Sequence, residues 1–272
     1  MDFGIQNRLS KIFNPRTGKT VMLAVDHGYF QGPTTGLKDM RNIIPLIPHA
    51  DCLFVTRGIL RNCIDPKIGA AVCLRVSGGP SILGELSNED LTTSIEEALR
   101  LNASGIGMSI FVGAKNEDRT ISNLGRLVSE AERYGMPVLA ITAVGKDMGR
   151  DARYMGLACR MAAEIGAHFV KTYYCEGFEE VVAGCPVPIV IAGGKKLPEM
   201  HALQMTENAI RAGAKGVDMG RNIFQSDSPV GMMKAVRAIV HKGLTSGEAF
   251  EIYQKSRKSA ETENINSEME KV

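Results

Sequence analysis

Ala162-Ala163-Glu164-Ile165-Gly166-Ala167-His168-Phe169-Val170-Lys171-Thr172-Tyr173-Tyr174 reads as a helix end, a stop and a strand. Gly166 tolerates the left-handed conformation that terminates a helix, so the strand can begin within a few residues. The junction recurs in Ala98-Leu99-Arg100-Leu101-Asn102, Ala131-Glu132-Arg133-Tyr134-Gly135 and Ala209-Ile210-Arg211-Ala212-Gly213, each ending at Gly or Asn just before an apolar run. Strands are predicted at 20–26, 51–56, 71–77, 105–111, 137–142, 169–174, 188–192 and 216–220. Each is short and mostly continuous in apolar residues, the mark of a parallel strand buried on both faces, and each precedes a segment that can be helical. Eight such units favour an α/β architecture closed as a (β/α)8 TIM barrel over an open doubly wound sheet, which gives no reason for eight.

The 272 residues suit one such barrel, expected over 1–255. Ile5, Leu9, Ile12 and Phe13 form one face of a short N-terminal helix fit to close the barrel bottom or to meet another subunit. Residues 256–272 are rich in Glu, Ser, Asn and Lys, have almost nothing to bury, and are expected to be a disordered or partner-dependent tail. A net charge of +2, with the 32 basic residues spread along the chain, excludes the concentrated basic face of a nucleic-acid binder and points to small anionic ligands. Six cysteines with no Cys-x-x-Cys pair read as reduced, packed thiols. The first residues lack the apolar stretch of a signal peptide and no run reaches membrane-spanning length, so a cytoplasmic protein without membrane contact is expected.

Lys171 stands in the middle of an apolar strand. Lysine is rarely buried unless something uses its amine, and desolvation favours the neutral, nucleophilic form. The other reading is an ion pair with a carboxylate inside the barrel. Ligands of such barrels bind where strands end. Asp26 and His27 end the first strand, Arg57 the second, and Ser77 the third; Lys146 follows the fifth, and Tyr173 shares a face of the sixth with Lys171 by alternation. Asp26 is placed to move a proton or to cap the next helix, and His27 to do likewise or to hold a loop. After the seventh and eighth strands come Gly193-Gly194-Lys195 and Gly220-Arg221-Asn222. Exposed glycine amides followed by a cation suit a phosphate, and this pair of loops is where such barrels usually bind one. Cys175 is either a nucleophilic thiol or a packed bystander. No His/Cys/Asp cluster has metal-ligand spacing, so no metal is expected.

Ala24-Val25-Asp26-His27-Gly28, Val170-Lys171-Thr172, Ile191-Ala192-Gly193-Gly194 and Met219-Gly220-Arg221-Asn222 together resemble the archaeal-type class I fructose-bisphosphate aldolases of the DeoC/LacD-like aldolase family. Within that family, Lys11-Ile12-Phe13-Asn14-Pro15, the stretch 26–37 (Asp26-His27-Gly28-Tyr29-Phe30-Gln31 onward), Thr56-Arg57-Gly58-Ile59-Leu60-Arg61, Lys171-Thr172-Tyr173-Tyr174 and Ala183-Gly184-Cys185-Pro186-Val187-Pro188-Ile189 are most similar to the LsrF thiolases, which process phosphorylated autoinducer-2. The resemblance covers nearly everything before the tail. It implies a (β/α)8 barrel in a decamer of two stacked five-membered rings, with Lys171 as the Schiff-base lysine. It implies acetyl transfer from 3-hydroxy-5-phosphonooxypentane-2,4-dione to coenzyme A, leaving dihydroxyacetone phosphate, with coenzyme A as co-substrate and no covalently bound cofactor.

One departure is informative. The aldolases carry a Tyr-Pro-Arg-Gly-type segment after strand five whose tyrosine shuttles a proton, whereas this chain reads Thr142-Ala143-Val144-Gly145-Lys146. That loss speaks against the usual aldol route and suits a thiol-assisted Claisen cleavage. The remaining alternatives are a Schiff-base aldolase acting on another sugar phosphate, such as fructose 1,6-bisphosphate, and a noncatalytic phosphosugar-binding regulator.

Overall fold

Eight parallel strands close on themselves into a barrel in the computed structural model, which describes residues 2–144 and 149–269. They are β1 (Thr20–Ala24), β2 (Cys52–Thr56), β3 (Ala71–Arg75), β4 (Gly105–Val112), β5 (Val138–Val144), β6 (Phe169–Tyr173), β7 (Ile189–Ala192) and β8 (Gly216–Met219). Hydrogen bonding runs between neighbours in chain order and closes from β8 back to β1, with Val21 opposite Val217 and Met22 opposite Asp218. All eight predicted strands are present. The stops behave as read: Asn102 (φ 54°), Gly135 (60°), Gly166 (103°) and Gly213 (105°) all lie at positive φ, and Asn102 is the one non-glycine to do so among the described residues.

Both faces of each strand are buried, which explains the continuous apolar runs. Outward side chains pack under the helical ring in the main core. The helix Glu117–Arg133 shows how: Thr120, Asn123, Leu124, Leu127, Val128 and Ala131 recur every three or four residues and are its buried face. Inward side chains build a second core of Met22, Ala24, Cys52, Phe54, Cys73, Leu139 and Phe169. A barrel interior this narrow needs small residues beside large ones. Gly107 is one: a Cβ there would stand 2.7 Å from the Phe54 ring.

The helix Phe3–Ile12 packs on β3 and β4 and plugs the barrel bottom: Ile12 is fully buried in the inner core, with Leu9 and Phe13 against it, and the Phe13 ring meets Phe169 edge-on at 5.3 Å. Five cysteines are buried and Cys63 is partly exposed, all as free thiols. The connection after β3 is long and returns over the barrel mouth through a two-residue antiparallel ribbon, Ser77–Gly78 with Asp90–Leu91.

The C-terminal helix spans Ser246–Met269, so the boundary drawn at 255/256 falls inside it. The polar composition that argued for a tail without order also includes good helix formers, and the backbone continues helical through most of that segment. No helix among the described residues is long and apolar enough to cross a membrane.

Candidate active site

Alternation along β6 sends Phe169, Lys171 and Tyr173 to one side, and the barrel interior changes from apolar to charged along that row. Phe169 belongs to the dry inner core. Two residues higher, the Lys171 ammonium sits 5.3 Å above the Phe54 ring and donates to Asp218 Oδ2 at 2.8 Å. The two readings of Lys171 are therefore realised together: the amine lines a cavity at the barrel mouth, and it has a carboxylate partner. Asp218 is completely enclosed, and its Oδ1 has no hydrogen-bond partner. Burial pushes its pKa above the usual carboxylate range, with Lys171 pulling the other way. A carboxylate that readily takes a proton thus touches the amine.

Asp26 stands just beyond the end of β1, where its Oδ2 accepts from Arg75 Nη1 at 3.2 Å. Arg75 ends β3 and is fully inside. It donates to both Glu89 oxygens at 2.8 and 2.9 Å, to the Tyr29 hydroxyl at 2.5 Å, to Ser109 Oγ at 2.7 Å and to the Ser77 carbonyl at 3.1 Å. The Tyr29 hydroxyl in turn donates to Glu89. Burial opposes the Arg75 charge, but Tyr29, Glu89 and Asp26 around it raise its pKa above the usual range. Burial raises the Tyr29 pKa, with Arg75 opposing, so that phenol stays protonated. This web fixes Asp26 in place, since each buried charge here has a partner that it would be costly to remove.

His27 follows, with Nδ1 3.7 Å from Asp26 Oδ1 and the ring edge-on to Phe224 at 5.6 Å. Burial lowers its pKa to about 4, Asp26 opposing, so the ring is neutral at neutral pH, and the buried Nδ1 has no hydrogen-bond partner.

Beside His27 and Tyr173, Gly193 and Gly194 leave β7 and Gly220 and Arg221 leave β8, all four on the cavity. Gly194 sits at φ 67°, and a Cβ on Gly220 would stand 2.4 Å from the His27 ring, so neither loop accepts a larger residue unstrained. Asn222 ties the loops together, donating to the Gly193 carbonyl at 2.6 Å and accepting from the Leu197 amide at 2.7 Å. Arg221 Nε is buried without a partner, a donor left for a ligand. Tyr173 completes the wall, its ring 4.0 Å below the Arg150 guanidinium. The enclosed volume is about 200 Å3.

Lys171, Asp26, His27, Tyr173, Gly193, Gly194, Gly220 and Arg221 therefore meet around one cavity. Three expected contacts need correction. Arg57 begins the helix Arg57–Cys63, lies exposed and pairs with Glu97 at 2.8 Å, because the chain turns into helix directly after Thr56 and carries that side chain away from the mouth. Lys195 is exposed, outside the cavity lining. Ser77 is buried behind the site, donating to Glu89 at 2.8 Å. Lys146 lies outside the described residues. Burial raises the Cys175 thiol pKa, the opposite of what a nucleophile needs. Sequence reading passed over Asp218, Arg75, Glu89, Tyr29 and Ser109.

A profile of the DeoC/LacD family of aldolases matches residues 20–226. A 3-hydroxy-5-phosphonooxypentane-2,4-dione thiolase of Escherichia coli K12 is 59% identical over 255 residues, covering 93% of this chain and 88% of the relative. An uncharacterized aldolase of Pasteurella multocida is 57% identical over the same shares. Among solved structures, an archaeal fructose-1,6-bisphosphate aldolase, caught with its catalytic lysine covalently bound to the carbinolamine intermediate of its substrate, superposes with a TM-score of 0.79 at 27% identity over 87% of this chain and 99% of its own.

Proposed function

Because the chain belongs to the DeoC/LacD family of aldolases, we propose that it uses the family's lysine chemistry for acyl transfer, cleaving 3-hydroxy-5-phosphonooxypentane-2,4-dione with coenzyme A to acetyl-CoA and dihydroxyacetone phosphate. The observation that carries this reading is the juxtaposition, in one cavity, of Lys171 with its proton-accepting partner Asp218 and of a glycine-rich anion cradle holding an unpartnered Arg221 donor.

The substrate phosphate binds at Gly193, Gly194, Gly220 and Arg221, and this remote anchor presents the nearer ketone, C4, to Lys171. Asp218 takes the ammonium proton, the amine adds to C4, and loss of water leaves an iminium. Coenzyme A thiolate then attacks C2. The tetrahedral centre collapses with cleavage of the C2–C3 bond, acetyl leaves on sulfur, and the electron pair passes from C3 into the iminium to give an enamine. The proton released by the thiol returns to C3, and water frees dihydroxyacetone phosphate from the lysine.

Asp26, held by Arg75, and the neutral His27 line the same cavity and are the groups for these proton transfers. Ala143 lines the site, in the segment at the end of β5 where, by the resemblance, the aldolases carry their proton-shuttling tyrosine, and that loss favours thiolysis over aldol cleavage. The homo-oligomer, a decamer by resemblance, belongs to the same proposal and is read by light scattering.

Incubation with the phosphorylated diketone and coenzyme A is expected to yield acetyl-CoA and dihydroxyacetone phosphate in equal amounts. Coenzyme A-independent cleavage of fructose 1,6-bisphosphate, with no acetyl-CoA from the diketone, would replace this reading by the aldolase one.

A further inference from the structure

Two substrates must meet over Lys171, yet the cavity there encloses about 200 Å3, below the ~300–1,000 Å3 usual for a single small-molecule site. A five-carbon phosphorylated diketone suits that space, and coenzyme A has to arrive from beside it. A second hollow of about 560 Å3 adjoins the first, between the loop after β1 and the helix Arg57–Cys63, and Asp26 and Tyr29 line both. Its body is apolar, built of residues such as Leu37, Met40 and Ile59, with Thr56 and Asn62 set among them as hydrogen-bonding groups. Gly28, Gly32 and Gly58 leave open space where their Cβ atoms would stand. Lys38 is exposed at this hollow and makes no ion pair among the described residues.

We propose that this hollow is the coenzyme A channel. The pantetheine arm lies along the apolar wall with its amides toward Thr56 and Asn62, and the nucleotide phosphates remain outside near Lys38. The thiol reaches the first cavity past Asp26 and Tyr29, which border both spaces. Asp26 is then the group placed to take the thiol proton as sulfur bonds to the acetyl carbon. The inference rests on the thiolase reading, because an aldolase has no second substrate to admit.

Cys63 lines the hollow and is the one cysteine that is not buried, which gives a readout independent of turnover. Alkylation of Cys63 by N-ethylmaleimide, followed by peptide mass spectrometry on the whole protein, is expected to slow about tenfold at ~10 times the dissociation constant of acetyl-CoA, a probe with no free thiol to consume the reagent. Gly58→Leu should remove that protection and raise KM for coenzyme A while leaving KM for the diketone unchanged. Lys38→Glu should raise KM for coenzyme A about tenfold, equivalent to ~1.4 kcal/mol.

Equal labelling with and without acetyl-CoA in a protein that forms acetyl-CoA would overturn the channel and leave the thiolase reading intact. A Cys63 inert in both states, as under a second copy of the chain, would overturn it too. No acetyl-CoA formation together with no protection would remove the reading beneath it.

Discussion

The two ends of the barrel interior are built from the same eight strands and follow opposite rules. At the bottom, Ile12, Met22, Cys52, Phe54, Cys73, Leu139 and Phe169 fill the space with apolar side chains and contain no charge to satisfy. Two residues further along their strands Cys73 gives way to Arg75 and Phe169 to Lys171, and with Asp26 and Asp218 these crowd four ionisable groups into a similarly enclosed layer. Dry packing of the first kind supplies stability through area removed from water. Buried ion pairs of the second kind roughly break even against desolvation, so their presence is explained by chemistry.

The division of labour is tested first at Lys171. Lys171→Ala is expected to lower kcat on the order of 10^3-fold or more in an acetyl-CoA assay, with the remaining loops still binding phosphate. Next comes the web behind Asp26: Arg75→Ala leaves Asp26 and Glu89 buried without their cation and should cost ~3–5 kcal/mol in urea unfolding. Glu89→Gln in the Arg75→Ala background should return part of it. At the bottom, Ile12→Ala opens a cavity under β4 and should cost ~2–5 kcal/mol while the folded fraction turns over as before; a matching loss of kcat would blur the division.

A smaller effect tests the upper layer through pH. In the folded protein His27 takes a proton only as pH falls toward about 4, against 6.5 for an ordinary histidine. Between those values the unfolded chain binds more protons, so this contribution to stability is complete above about pH 6.5 and is lost as pH falls through the window. It amounts to ~2–3 kcal/mol, and comparing His27→Gln with the parent in urea at pH 7 and pH 4.5 isolates it: the parent should lose more. The smallest effect is expected at the cradle, where Arg221→Ala should raise KM for the diketone about tenfold and leave an unphosphorylated analogue unaffected.

The same comparison explains what the sequence revealed. Continuous apolar runs and Gly or Asn stops are local signals, so eight strands and their order were legible. Lys171 stood out as a charge in an apolar run, and the same rule applied to Ala71-Val72-Cys73-Leu74-Arg75 and Gly216-Val217-Asp218 finds Arg75 and Asp218 as well. Glu89 was not legible, because a two-residue ribbon carries it over the mouth and no periodicity marks so short a pairing. Arg57 misled through proximity to a strand end: inward and outward positions alternate, and one residue past Thr56 the chain is already helical and facing away.

The account depends on the Lys171 amine forming a covalent bond to a ketone. Borohydride reduction in the presence of 3-hydroxy-5-phosphonooxypentane-2,4-dione, followed by peptide mass spectrometry, is the direct measurement. The predicted result is a reduced adduct on Lys171 that needs the substrate phosphate; no adduct, or one carried by Lys146 or Lys195 instead, would contradict it.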